Sequence, residues 1–285
     1  MALQDKSNYT MFTLNCKGRL LIIDSPIVMG IINITPDSFY SNSRQLNLHA
    51  AVLKAEQMIE DGATIIDIGG QSTRPGSNIV SAGEEIQRCI PVIESIKKAM
   101  PQSFISIDTY YAQVAKAAVE AGADIVNDIS SGSMDSNMLK TVAQLHVPYV
   151  SMHMQGTPQN MQQNPTYENI TREVLDYFIQ KTEECRVAGI NDIIVDPGFG
   201  FGKTIEQNFK LLKELNVLQI LQKPLLAGIS RKSMIYKLLQ SSPEQALNGT
   251  TALNTLCLIN GAHILRVHDV KEAIETIQLV KQYQA

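Results

Sequence analysis

One pattern recurs four times and limits what this chain can fold into: a glycine, a short gap, an aliphatic run, then a polar residue. Gly62 leads into Ile65, Ile66 and Asp67, and Gly122 into Ile125, Val126 and Asn127. Gly189 leads into Ile193, Ile194, Val195 and Asp196, and Gly261 into Ile264, Leu265 and Arg266. A glycine there suits the left-handed position just past a helix C-terminus. The run after it suits a strand covered on both faces. Successive glycines lie 60, 67 and 72 residues apart, about twice the length of a βα unit, so another strand belongs between each pair. Residues 104–107, 148–152 and 224–228 are candidates, and 27–34 supplies a first strand.

The tally is about eight parallel strands separated by helical stretches, which predicts an α/β fold of the (β/α)8 TIM-barrel type. Residues 112–121 and 168–189 carry helical spacing, and Ser242-Pro243-Glu244 places a proline in a first helical turn. An N-terminal β-hairpin is expected at about 12–24, around Lys17-Gly18, with the barrel from about 27 to 285. Nothing reads as a linker, so residues 1–285 are assigned to one domain; a doubly wound open sheet is the alternative.

At 285 residues, 44% hydrophobic and 18% charged, the chain can bury a sizeable core, which excludes a disordered or fibrous protein. Its 24 basic and 28 acidic side chains give a net charge of −4, no basis for binding nucleic acid. The apolar run 20–34 is broken by Asp24, Pro26 and Asn33, so neither a membrane span nor a secretory signal is expected. Cys16, Cys89, Cys185 and Cys257 are too scattered for a disulfide framework or zinc cluster and read as reduced, buried thiols, which fits the cytoplasm.

A TIM barrel carries its active site at the C-terminal strand ends. Those ends read Asn33, Asp67, Asp108, Asn127, His153, Asp196, Ser230 to Lys232, and Arg266 to His268. Asp108, Asn127 and Asp196 offer acceptors to a donor-rich ligand edge, while Lys232, Arg266 and His268 offer cations to an anionic tail. Asn33, with Asp37 nearby, is a candidate oxygen ligand for a hard divalent cation. Long loops at 35–47 and 69–83 suit substrate binding, and the second carries Arg74. The run Gly198 to Thr204 looks like a P-loop, but Pro197 stands where its first glycine belongs. Its glycines instead suit a backbone turning closely around a ligand. His263 and His268 are expected on opposite strand faces, so they are not a metal pair. No nucleophile elbow is present.

Several stretches together resemble the dihydropteroate synthase family. They include Asn33-Ile34-Thr35-Pro36-Asp37-Ser38-Phe39, Asp67-Ile68-Gly69-Gly70-Gln71-Ser72-Thr73-Arg74-Pro75-Gly76, and Asp196-Pro197-Gly198-Phe199-Gly200-Phe201-Gly202-Lys203. Asp108-Thr109, Asn127-Asp128, Ser230-Arg231-Lys232 and Arg266-Val267-His268-Asp269 continue the match in order to the C-terminus. The resemblance implies an Mg²⁺-assisted transferase that joins para-aminobenzoate to a dihydropterin-methyl diphosphate, acting as a homodimer. It implies that Asp108, Asn127, Asp196 and Lys232, with Thr73 and Arg266, hold the pterin. Asn33, Arg266, Val267 and His268 would hold the diphosphate, with Asn33 on the metal. Thr73, Arg74, Pro75, Phe201 and Ser230 would form the aminobenzoate site, and Lys232, Arg74 and Asp196 would carry the catalysis.

Two departures stand out. The family commonly has Glu where this chain has Gln71, and an acid with glycines where it reads Tyr40-Ser41-Asn42-Ser43. Rival readings are a methyl-folate-dependent methyltransferase on the same barrel, a Schiff-base lyase using Lys232 with Arg231 depressing its pKa, and a pterin-binding barrel without turnover.

Overall fold

The computed structural model describes residues 10–34, 44–71 and 79–285, without the side chains of 44–47. A two-stranded antiparallel hairpin, β1 (Phe12–Cys16) and β2 (Arg19–Ile23), comes first. Lys17 (φ 54°) and Gly18 (φ 86°) make its tight turn, the backbone pattern that matches strand twist in a two-residue hairpin loop.

Eight parallel strands follow: β3 (Ile27–Asn33), β4 (Ile65–Gly69), β5 (Phe104–Asp108), β6 (Ile125–Asp128), β7 (Tyr149–Met152), β8 (Ile193–Asp196), β9 (Leu226–Ala227) and β10 (Ile264–Val267). They pair in the order β8-β7-β6-β5-β4-β3-β10-β9. A parallel bridge from Val195 to Leu225, with Val195 N–H donating to the Pro224 carbonyl at 2.9 Å, joins β8 to β9 and closes the barrel. Among the helices outside it are α1 (Arg44–Glu60), α2 (Ala82–Ala99), α3 (Ala112–Glu120), α4 (Met138–Leu145), α5 (Ile170–Ala188) and α6 (Ile205–Lys213). The short α7 (Ser233–Tyr236), then α8 (Leu247–Ile259) and α9 (Val270–Gln284), complete the ring.

The four pattern glycines all have positive φ, from 90° at Gly261 to 120° at Gly122. One expectation needs correcting. The strand expected at 224–228 is regular only over Leu226–Ala227, with Leu225 held by the isolated bridge to Val195. Pro243 does stand in a first helical turn, that of the 3-10 segment Pro243–Gln245 before α8.

Alternation along the strands separates two cores. Outward-facing Ile66, Ile105, Val126, Tyr149, Val195 and Leu265 pack under the helices. Inward-facing Met29, Ile65, Ile125, Val150, Ile194, Leu226 and Ile264 fill the lower barrel, capped by Leu14, Cys16, Leu21 and Ile23 of the hairpin. Polar clasps hold that cap: Asn15 N–H donates to Asp192 at 2.9 Å, and Lys17 Nζ to the Val119 carbonyl at 2.9 Å. Arg19 lies over the Phe104 ring at 4.5 Å and pairs with Asp124 at 2.7 Å, which Lys97 also reaches at 2.7 Å.

Candidate active site

Two residues beyond the apolar layer, the same inward face turns polar. Ile65 is followed on that face by Asp67, Ser106 by Asp108, Ile125 by Asn127, Ile194 by Asp196 and Ile264 by Arg266. The strands thus carry three carboxylates, an amide and a guanidinium into the C-terminal mouth of the barrel. Asp67 sits in mid-strand rather than at a strand end, because β4 continues to Gly69.

Arg266 is the hub. Its Nε donates to Asp67 Oδ2 at 2.7 Å and its Nη2 to Asp108 Oδ2 at 2.6 Å, while Asn127 Nδ2 donates to Asp67 at 3.2 Å. Burial opposes the Arg266 charge, but Asp67 and Asp108 outweigh it and hold the guanidinium above its ordinary pKa. Burial pushes Asp108 up to about 7; Arg266 pulls it down, while Asp67, Asp128 and Asp196 push it further up. Asp196 is likewise raised by burial and restrained by Lys232. Lys232 is lowered to about 8 by burial, with Asp196 opposing. A Cβ built on Gly228 would lie 3.9 Å from each of Asp196 Oδ2, Lys232 Nζ and the Arg266 Cβ, so these three converge where a bare backbone leaves room.

The Lys232 ammonium stands 4.4 Å from the centre of the Phe201 ring and donates to the Phe199 carbonyl. Tyr110, Ile129 and Met152, with Met134, Met154 and Phe201 against them, form a small apolar cluster separate from the two cores. Ser230 Oγ and His268 Nδ1 are 3.0 Å apart, and His268 N–H donates to Ser230 Oγ at 3.2 Å. Asn33 ends β3 with an exposed side chain.

Several sequence expectations change here. His268 is not a cation: burial first, then Arg266 and Arg231, lowers it to about 4, so it is neutral at pH 7. The Val267 side chain is fully buried in the outer core, so what it offers the mouth is backbone. Arg266 meets its two carboxylates through Nε and Nη2. Arg231 does not depress Lys232, because its guanidinium is turned to Asp269 with bonds of 2.9 and 2.6 Å. His153 faces away from the mouth, edge-on to Tyr177 of α5 at 4.9 Å. Thr73, Arg74, Pro75 and Asp37 lie outside the described residues.

Lys203 and Asp128 were missed as site-builders. Asp128 is fully buried and accepts from Ser130 N–H, Gly132 N–H and the Tyr149 hydroxyl, each at 2.7 Å, which shapes the turn after β6. Lys203 fell inside the rejected P-loop look-alike; a lysine closing a glycine-rich turn after a buried strand was the available signal.

A closed (β/α)8 barrel whose mouth pairs an acid-and-amide ring with a half-buried lysine and arginine defines an enzyme built to seat a donor-rich heterocycle. The family model for pterin binding enzymes matches residues 29–268, and the chain belongs to that family. Within it, the dihydropteroate synthase of Escherichia coli (strain K12) is 45% identical over 93% of this chain and 94% of its own length. A Xanthomonas albilineans dihydropteroate synthase solved with 4-aminobenzoic acid superposes with a TM-score of 0.89 at 40% identity, covering 97% of this chain and 99% of that one. The Yersinia pestis dihydropteroate synthase, solved in a sulfonamide drug complex, gives 0.90 at 41% identity over 96% and 99%.

Proposed function

We infer that this chain is a dihydropteroate synthase, a transferase that joins para-aminobenzoate to (7,8-dihydropterin-6-yl)methyl diphosphate, giving 7,8-dihydropteroate and diphosphate. The observation that carries this reading is the convergence of Asp108, Asn127, Asp196, Lys232 and Arg266 on one inward-facing layer. A pterin edge presents ring and exocyclic N–H donors, which Asp196, Asn127 and Asp108 match as acceptors, while Lys232 donates to a ring acceptor. The apolar cluster around Ile129 and Met152 suits the ring face. A methyl-folate-dependent methyltransferase has little use for the cation-rich side of this mouth.

Diphosphate leaves with the electron pair of the C–O bond, and the electron-rich pterin spreads the charge left on the methylene carbon. The aminobenzoate nitrogen then supplies the new C–N bond and loses a proton to solvent or a basic neighbour. Positioning and charge stabilisation suffice for such a transfer, without a covalent nucleophile. In this reading Lys232, Asp196 and Arg74 are the catalytic residues. Arg266 and Asn33, with His268 as a neutral N–H donor, hold the diphosphate. Phe201 and Ser230 bound the aminobenzoate site together with Thr73, Arg74 and Pro75.

Mg²⁺ belongs to the same proposal. Among the described residues no group of three His, Cys, Asp or Glu can hold a metal. Asn33 offers one hard amide oxygen, which fits a cation that takes most of its ligands from water and substrate phosphates. When bound it would supply charge neutralisation for the leaving diphosphate.

A homodimer and a cytoplasmic location complete the proposal. Val217 and Ile220 on the 3-10 segment Leu215–Leu221, and Leu256 and Ile259 on α8, are exposed large apolar side chains that a second copy would cover. The four cysteines are free and buried, which suits a reducing compartment, and no helix of the described residues is long and apolar enough to cross a membrane.

The deciding assay supplies the dihydropterin-methyl diphosphate and Mg²⁺ with and without para-aminobenzoate. Dihydropteroate formed in step with diphosphate is the expected result. Tight pterin binding with no product would refute the transferase and leave a binding barrel.

A further inference from the structure

The turn after β8, residues 197–203, holds a second lysine, set behind the mouth described above. Lys203 is 3% exposed. Its Nζ donates to the carbonyls of Gly198 and Phe201 at 2.9 Å each and of His153 at 3.3 Å, and it sits 2.9 Å from His153 Nδ1. Burial first, then Lys203 itself, drives the His153 pKa far down, so that ring is neutral and offers Nδ1 as a lone pair. Three ammonium protons thus meet four acceptors, from both ends of the turn and from the end of β7.

The turn is pressed against its support. A Cβ on Gly198 would lie 1.9 Å from the His153 carbonyl oxygen, and one on Gly202 2.5 Å from that of Gln155. Both glycines have positive φ, 67° and 60°, so the loop lies where only bare backbone fits. Its remaining carbonyls are also distributed. Gly200 accepts from Gln162 at 2.7 Å and Gly202 from the Tyr167 hydroxyl at 2.8 Å, while Phe199 accepts from Lys232. Asn208 of α6 takes the Gly200 N–H at 2.7 Å. One loop therefore serves two ammonium groups, Lys203 behind it and Lys232 in front.

We propose that Lys203 is a positioning residue for the transfer reaction: by gathering the His153, Gly198 and Phe201 carbonyls it fixes the loop that gives Lys232 its carbonyl partner and its aromatic floor. The proposal rests on the dihydropteroate synthase reading. It also assigns the glycine-rich run a purpose other than phosphate binding: its carbonyls, not its N–H groups, do the holding, and they hold cations. Lys203 acts on the site electrostatically too. Burial first lowers the Lys203 pKa well below its ordinary value, with Asp196 opposing and Lys232 adding to the fall, and Lys203 in turn favours the ionised form of Asp196. The other groups around Lys232 are Asp196, Asp108 and Arg266.

Lys203→Met tests this, measured beside the wild-type enzyme after circular dichroism has verified its fold. Dihydropteroate formation by the wild type tests the function reading separately. In the variant, the KM for the pterin diphosphate should rise ~10- to 100-fold, as expected when a ligand group is displaced by about an ångström. The alkaline limb of the kcat/KM profile, governed by Lys232, should move up by ~0.5 unit or more, because burial is what lowers Lys232 and water enters as the loop loosens. A merely structural lysine would lower the melting temperature and leave KM and limb unmoved, which overturns the proposal. Should Lys203→Met not fold, His153→Leu keeps the lysine but removes its side-chain acceptor. A smaller shift in the same directions is then expected, and a folded variant with an unmoved limb also overturns the proposal.

Discussion

The two ends of the barrel interior lie on the same strands and the same face, about 7 Å apart, yet they are opposite materials. Below, Ile65, Ile125, Ile194 and Ile264 pack against Leu14, Leu21 and Ile23 of the hairpin. Two residues further along each strand stand Asp67, Asn127, Asp196 and Arg266. The lower layer gains free energy from burying apolar area, while the upper layer loses some by burying charge and recovers part of it through Arg266. The difference teaches that this molecule stores its stability beneath its chemistry, and each end can be perturbed alone.

The strongest way to break the comparison is at the residue that serves both purposes. Arg266→Ala removes the partner of two buried carboxylates, so it should cost roughly 3–5 kcal/mol in stability. It should also weaken pterin diphosphate binding severely. Calorimetric unfolding and substrate titration on one sample check both, and a variant that binds normally contradicts the upper layer's role. A purely lower-layer change should separate the effects. Ile23→Ala should lose roughly 2–5 kcal/mol while both KM values stay within about twofold, as read by denaturant melts and steady-state kinetics; a changed KM would show that the ends are coupled.

A finer test uses pH. Burial pushes the Asp108 carboxyl from its ordinary 3.8 up to about 7 in the folded state. The folded state therefore binds more protons than the unfolded state between those values, and stability falls as pH rises through that window. Asp108→Asn should flatten this dependence and raise the melting temperature at pH 8, at the expense of pterin binding. An unchanged slope from pH 4 to 7 would mean that Arg266 keeps Asp108 ionised throughout.

The barrel and its polar layer were legible in the sequence for a physical reason. A glycine past each helix and an aliphatic run are local signals, and period-two alternation carries Asp67, Asn127, Asp196 and Arg266 to one face wherever the runs are strands. Partnerships that span the chain were not legible. Arg266 meets Asp67 and Asp108 from 199 and 158 residues away, and Lys203 meets the His153 ring across 50. Nothing in the local pattern says that Arg231 turns to Asp269, or that burial leaves His268 neutral.

The central claim is that the upper inward layer recognises the pterin and, Arg266 apart, contributes little to folding. Titration calorimetry of the dihydropterin-methyl diphosphate into Asp196→Asn, with a thermal melt of the same sample, tests it most directly. The account predicts a loss of affinity of ~100-fold or more, since the acceptor pair becomes a mismatched amide. The melting temperature should be unchanged or higher, since a buried charge has gone. Undiminished affinity, or a variant that loses affinity only because it has unfolded, would contradict it.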